Sequence, residues 1–503
     1  MIPGAAVFVA APLAAAAMAY LVRAWRYVAV PLAMLAAAAL ALVLVVLPYE
    51  PTGRFLGLGL DPGGPIVVLG RSLTLEPDDR SALLFLYLAS FFLFGGGLAV
   101  PVPRLFAPAA LAALGMLAAA LFVEPFVFAT AFLEAAAILA VLMLTDPGAA
   151  RPAPPGALRF LVFVTFSLPF ILLTGWVLEQ YAISPEDLGL LTQATALLAA
   201  GFAFLLAAVP FHSWIPSVAQ DASPPAAAFL FTVIQAAVVF FMLEFLGRFD
   251  WLGTNPQVYA LMRLAGVVMV GLGGAFSFSQ RSFGRLMGYA VVADYGVALL
   301  AIGHGSADGL RVGIVLIALR GIALAVWGVG MGALRAARPG AGDDDFEHMR
   351  SLGRERPLAA AAVVIGGLSL VGFPFTAGFP GRWALWRLLS TDYPEASFIV
   401  LLAAVSVGLA YARALGLLIA RPAPEAALGV AARPEALTRG GETAELEAVA
   451  SPPAAAEAGA LSIRLTIALI GVGLTVILAL GVYPQWLLPA MARAAEAFIR
   501  SAG

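Results

Sequence analysis

The chain contains no cysteine and no lysine. Without cysteine, disulfides and thiolate metal ligands are excluded. Without lysine, all 28 basic residues counted as lysine plus arginine are arginine. A buried lysine can release its proton, whereas an arginine effectively never does, so every basic side chain here is a fixed charge. Charge of either sign is scarce, at 12% of 503 residues, and the formal net charge is −2. That balance gives no electrostatic footing for nucleic acid. Chemistry-bearing constellations are also scarce. The glycine-rich stretches "GLGLDPGG" and "GVGLTVILALG" lack a basic phosphate anchor. No nucleophile–base pair or metal-ligand cluster stands out, so no cofactor is expected in this chain.

What is abundant is apolar sequence. Hydrophobic residues make up 62% of the chain, far more than one soluble core can hide, and they fall in runs of about 20, the length of a bilayer-crossing helix. The expected fold is an all-α polytopic membrane protein with fourteen spans. They lie near residues 4–22, 27–48, 82–100, 104–123, 126–146, 158–180, 189–212, 225–247, 258–279, 284–303, 309–334, 358–391, 395–421 and 461–484. The first is followed at once by "RAWRY" and a second apolar run, so it reads as a retained span and not a cleaved leader. Between spans two and three, "LGLDPGGPIVVLG" has the turn chemistry of a small β-hairpin. Residues 422–458, rich in alanine, proline and glutamate, read as a mobile loop.

Fifteen arginines follow odd-numbered spans and seven follow even-numbered ones. By the positive-inside rule this puts the odd loops in the cytoplasm and both termini outside, in a bacterial cytoplasmic membrane.

Two spans are interrupted. Span seven runs into "LLAAVPFHSWIPSVAQDASPP", where Pro210 should break or kink the helix. Span twelve contains "GLSLVGFPFTAGFPGRWALW", with Pro374 and Pro380. A break at membrane depth is tolerated where it is enclosed by protein or lines a wet cavity. Two broken helices five spans apart imply two inverted five-helix repeats, spans 4–8 and 9–13, and point to a transport site. The corresponding division is 1–103 for the first three spans with their outer loop, 104–250 and 251–421 for the two repeats, 422–458 for the loop, and 459–503 for the last span and tail.

Ionisable groups inside spans are costly and mark function by default. Glu134, Asp294 and Arg320 lie centrally in their spans, while His212 and Arg382 follow the two breaks. His212 also fits the plainer role of capping exposed backbone. Glu244, Arg263, Arg413 and Arg464 lie nearer span ends and read as snorkelling or loop-pairing residues. "GVGMG" in span eleven reads as close helix packing.

At these residues the chain resembles the antiporter-like, proton-translocating subunits of respiratory complex I, membrane-bound hydrogenases and multisubunit cation/proton antiporters. "VPFHSWIPSVAQDASPPAAAFL", "QRSFGRLMGYAVVADYG" and "GLSLVGFPFTAGFPGRWALW" are similar to three motifs of that family, in the same order, and "LTLEPDDRSALLFLYL" echoes a fourth segment. Ser217 stands where the family usually has aspartate. The resemblance spans roughly residues 70–420. It implies a membrane subunit working with other membrane subunits, homologous ones included, in a complex whose redox cofactors are held by partner subunits.

The family's proton line is a glutamate on span five, lysine on spans seven and eight, lysine or histidine on span eleven, and lysine or glutamate on span twelve. Carried over by position, the glutamate is Glu134. The span-seven lysine falls on Leu205, the span-eight lysine on Gln235 (or, two residues on, Ala237), and the last two on Arg320 and Arg382. Asp294 stands where the family often has glutamine or histidine. A lysine relay cannot run on leucine, glutamine and arginine. Two readings follow: protons pass through Glu134, Asp294, His212 and bound water, along a path that includes Gln235 and has Arg320 and Arg382 as fixed charges, or the channel is degenerate and the subunit is structural. A polar path from Glu134 to Asp294 and Arg382 discriminates them. A subunit of a multisubunit cation/proton antiporter is a further alternative.

Overall fold

The computed structural model describes residues 2–46, 54–55, 58–61, 63–68, 70–77, 79–145, 153–338, 344–421 and 453–486. Among them are helices α1 (Gly4–Leu21), α2 (Arg26–Val46), α3 (Asp79–Ala99), α4 (Phe106–Phe122), α5 (Ala129–Leu144) and α6 (Pro155–Ile183). Next come α7 (Leu188–Leu205), α8 (Trp214–Asp221), α9 (Pro224–Phe229), α10 (Gln235–Arg248), α11 (Asp250–Gly253), α12 (Pro256–Ser279) and α13 (Phe283–Ile302). The chain continues through α14 (Ala307–Ala337), α15 (Leu352–Glu355), α16 (Pro357–Leu370), α17 (Gly378–Asp392), α18 (Pro394–Ile419) and α19 (Pro453–Val482).

The fold is an all-helical membrane protein. Among the described residues, twelve helices are long and apolar enough to cross a bilayer, and α4 and α16 are shorter apolar helices. Each expected span has its helix, because run length and apolarity are strong signals for a backbone that must satisfy its own hydrogen bonds in lipid. The stretch expected as a mobile loop, 422–458, lies outside the described residues up to 452, and α19 begins at Pro453.

The hairpin expectation is corrected. β3 (Leu58–Asp61) does not pair with β4 (Ile66–Val68); it pairs with β1 (Ile2–Pro3) in parallel and with β2 (Arg54–Phe55) antiparallel. The hairpin joins β4 to β5 (Arg71–Leu73), one turn later, with Gly70 at φ 76° in the tight connection. β5 then pairs with β6 (Val123–Glu124). The "DPGG" signal marked a turn between two small sheets.

At the centre of the molecule α9 runs through a π-helical turn (Leu230–Ile234) into α10, and this whole span is enclosed by protein. The glycines of α14 let neighbours approach. A Cβ on Gly330 would lie 2.6 Å from Ala362 Cβ on α16, and one on Gly328 would lie 3.2 Å from the Pro224 carbonyl oxygen. The "GVGMG" run is therefore a packing surface, as expected.

Candidate functional site

The expected break in span seven falls earlier than Pro210. Helix α7 ends at Leu205, and Ala207 takes a left-handed conformation at φ 55°. Ala207 N–H donates to Phe204 O at 3.2 Å and Ala208 N–H to Ala203 O at 2.9 Å. This pair of bonds is the Schellman ending, which satisfies carbonyls that a stopped helix would leave bare. Pro210 follows in the connection and leads into a 3₁₀ turn at Phe211–Ser213 and then α8.

Span twelve stops in the same way. Helix α16 ends at Leu370, Gly372 has φ 75°, Gly372 N–H donates to Ser369 O at 3.1 Å, and Phe373 N–H donates to Leu368 O at 2.9 Å. Pro374 lies in the gap, while Pro380 sits in the first turn of α17, where its missing N–H is no loss.

Each break offers the carbonyl of its last helical residue to a side chain. Gln235 Nε2 donates to Leu205 O at 3.4 Å, and Arg382 Nη2 donates to Leu370 O at 2.8 Å. Arg382 reaches that point because residue 372 is glycine: a Cβ there would lie 2.3 Å from Arg382 Cγ.

Around the second break three singled-out residues meet. Asp294 on α13 accepts from Arg320 Nε on α14 at 2.5 Å through Oδ2, and from Arg382 Nη2 on α17 at 2.6 Å through Oδ1. Asp294 and Arg320 are each 2% exposed and Arg382 8%. Both carboxylate oxygens are engaged. The cluster holds one negative and two positive side chains, a net excess of one buried positive charge. Arg320 Nη2 and Arg382 Nε are enclosed without hydrogen-bond partners. Arg320 also lies over the Tyr295 ring, its Cζ 4.4 Å from the centroid, and Tyr295 OH donates to Phe231 O at 3.0 Å in the π-helical turn.

Between Arg320 and Gln235 lies a cavity of about 10 Å³, walled also by Leu206 and Tyr295. It has room for about one water molecule, and among mostly apolar neighbours the Gln235 and Arg320 side chains border it. Gln235, this cavity, Arg320, Asp294 and Arg382 thus form one connected polar group. The π-helical turn just before Gln235 sets the direction in which that side chain leaves α10, and such turns recur at functional sites. Thr232, inside the turn, keeps a buried hydroxyl without a hydrogen-bond partner.

Glu134 and His212 lie apart from this group. Glu134, half-buried on α5, accepts from Thr165 Oγ1 on α6 at 2.6 Å, and its Oε2 is enclosed without a partner. Leu205, at the position of the resemblance's first lysine, is 1% exposed within the apolar core. Among the described residues no side-chain hydrogen bond joins Glu134 to Gln235 or to the Asp294 cluster. His212 is half-buried in the 3₁₀ turn, its ring 6.4 Å from that of Tyr289.

Of the four residues assigned to span ends, Arg464 is exposed on α19 and the other three cap or pair. Glu244 takes Arg248 Nε at 2.5 Å, Arg263 Nη1 donates to Gly303 O at 2.6 Å, and Arg413 Nη2 donates to Phe278 O at 2.7 Å.

One residue escaped the sequence reading. Arg335, at the end of α14, donates to Ala222 O at 2.5 Å, Gln220 O at 2.7 Å and Ala219 O at 3.2 Å, and its Nε donates to Asp344 Oδ1 at 2.7 Å. It caps α8, the continuation of the first broken helix, and ties it to α14. Its only sequence signal, an arginine at a span end, is shared with a dozen others. Helix α8 is further seated on α13, where a Cβ on Gly288 would lie 2.4 Å from Pro216 Cα. Among the described residues no group of three or more His, Cys, Asp or Glu side chains is placed to hold a metal ion.

Similarity to known proteins runs through this same region. Residues 158–409, about half of the chain, match the family described as NADH:quinone oxidoreductase/Mrp antiporter, transmembrane. The NADH-quinone oxidoreductase subunit N of Cereibacter sphaeroides is 32% identical over 303 residues, 58% of this chain and 65% of that protein. The subunit N of Parafrankia sp. is 29% identical over 316 residues, 61% and 52% respectively. The chain thus spans between about half and just under two thirds of the length of these relatives.

Among solved structures, a chain of the membrane-bound sulfane sulfur reductase, an archaeal respiratory membrane complex, superposes with a TM-score of 0.74 at 17% identity, covering 99% of both chains. A chain of respiratory complex I from Thermus thermophilus gives 0.67 at 22% identity, with 99% and 100% coverage. A chain of the Mrp complex from Dietzia sp. gives 0.69 at 18%, with 99% of both. At these identities the likeness is one of fold, and it extends over the whole chain. The protein is a multi-pass membrane protein of antiporter-like fold and belongs to the NADH:quinone oxidoreductase/Mrp antiporter transmembrane family.

Proposed function

We propose that the chain is a membrane subunit of a redox-driven complex of the complex I kind, and that it moves protons through a mid-membrane path whose switching group is a carboxylate in place of the usual lysines. Neighbouring membrane subunits complete the path, and the redox cofactors belong to partner subunits of the complex. The observation that carries this reading is the Asp294 clasp: one titratable side chain held between two that do not titrate.

The chemistry follows from the geometry. A proton taken by Asp294 at Oδ2 cancels the charge that holds Arg320 there. Arg320 already lies over the Tyr295 ring, and that contact still holds it when the carboxylate is neutral, since a guanidinium over an aromatic face is attracted by the ring quadrupole. Arg382 keeps its place, because Leu370 O anchors the same nitrogen that binds Asp294. Protonation therefore loosens Arg320 from the carboxylate and leaves Arg382 in place, and deprotonation draws Arg320 back. The water-sized cavity beside Arg320 and Gln235 supplies the proton's approach. This arrangement is a two-state element biased by one proton.

A second reading has its own observation. Glu134 makes its hydrogen bond outward to Thr165, and apolar Leu205 occupies the first-half lysine position. In that reading the first half is closed and the subunit holds its neighbours in register. Proteoliposomes containing the intact complex separate the two. Gln235→Leu, which removes the amide from the cavity wall and leaves Arg320 there, lowers proton uptake per redox turnover if Asp294 switches protons. Unchanged uptake in Gln235→Leu and in Glu134→Gln alike supports the structural reading.

A further inference from the structure

Towards the start of the described side chains of α19, that helix, α2, α14 and α16 line an open cavity of about 740 Å³. Its floor is Ile470, 1% exposed. Along its outer edge Ile463 and Ile467, 49% and 51% exposed, continue the lipid-facing side of α19. Its mouth holds two arginines, Arg26 at the start of α2 and Arg356 just before α16.

Neither arginine has a carboxylate partner among the described residues. Arg26 Nη2 meets only the Tyr27 hydroxyl, at 2.5 Å. Glu355, at the same mouth, is taken by Arg338 at 3.6 Å. The hydroxyls of Ser462 and Thr466 are turned inward onto Ala99 O, at 2.7 and 3.0 Å, so the α19 wall presents mainly its apolar side chains to the cavity.

A mostly apolar slot edged by exposed Ile463 and Ile467, with two arginines that have no carboxylate partner among the described residues, has the shape and charge of one ligand class. We propose that this cavity binds an anionic phospholipid, its phosphate between Arg26 and Arg356 and an acyl chain laid along α19 down to Ile470. Basic pockets between transmembrane helices bind anionic headgroups for the same electrostatic reason. The occupant also explains how α19 stays fastened at this end. Further along, α19 meets α14 directly, where a Cβ on Gly473 would lie 2.4 Å from Val326 Cγ2. Towards residue 463 the lipid takes the place of that protein contact.

The test uses the intact complex in membranes with phosphatidylglycerol or phosphatidylcholine carrying the same photoactivatable acyl chain, and mass spectrometry to map the labelled residues. The expected result is labelling of residues 463–470 that is about fivefold or more higher with phosphatidylglycerol, the step that roughly one arginine contributes near an anionic surface. Arg26→Ala/Arg356→Ala brings it down to the phosphatidylcholine level. Ala333→Trp, which fills the slot and leaves both arginines, abolishes labelling with either lipid. Equal labelling by the two lipids, labelling indifferent to both variants, or no lipid label on this stretch, whether the slot is empty or holds another protein segment, overturns the proposal.

Discussion

Asp294 and Arg320 are joined by a 2.5 Å hydrogen bond across α13 and α14, with each side chain buried. A carboxylate in that setting is retained only while its partners stay, because an uncompensated buried charge is far costlier than a buried pair. Removing the carboxylate alone strands both Arg320 and Arg382. Asp294→Asn is therefore expected to destabilise the subunit by about 3–5 kcal/mol. Thermal dissociation of the detergent-solubilised complex measures this, and Asp294→Asn/Arg320→Gln, which keeps the net charge of the cluster, recovers much of the loss.

Gly372 holds the second break in shape twice over, by its φ of 75° and by the space it leaves for Arg382. Gly372→Ala is expected to push Arg382 off Leu370 O and lower proton uptake, with a backbone penalty of about 1–2 kcal/mol. The matching position in the first break is Ala207, already left-handed at φ 55°. Ala207→Gly relieves strain there and is expected to raise stability by about 1 kcal/mol. Opposite signs at the two matched positions are the outcome to look for in thermal dissociation.

The spans were legible because membrane helices announce themselves by length and apolarity. Asp294, Arg320 and Arg382 could each be singled out because a charge in an apolar run is costly. What could not be read was that one face of α13 turns Asp294 towards both arginines at once, since three separate helices contribute. Pro210 misled in detail: the Schellman ending of α7 comes five residues earlier and uses Ala207, a residue with no turn signature. Arg335 was invisible for the opposite reason, being one of many arginines near span ends.

Arg335 makes three hydrogen bonds to the end of α8. Arg335→Ala is expected to cost about 1–3 kcal/mol, the penalty for leaving partly buried carbonyls unpaired. Limited proteolysis between α8 and α9 checks it: faster cleavage in the variant is the predicted result, while an unchanged rate means that the glycine contacts with α13 suffice to hold α8.

Glu134 accepts its one hydrogen bond from Thr165. If Glu134 feeds the path, Thr165→Val, which leaves the carboxylate in place, is expected to change proton uptake less than Glu134→Gln, which removes it. The comparison is of uptake per redox turnover at equal complex content.

The central claim is that Asp294 takes and gives the proton between two arginines that cannot. Proton uptake per redox turnover, in proteoliposomes containing the intact complex, tests it most directly when wild type is compared with Asp294→Asn/Arg320→Gln. The account predicts that uptake falls by about tenfold or more, the equivalent of roughly 1.4 kcal/mol in the path, while the complex stays assembled. Undiminished uptake in that assembled variant would contradict it.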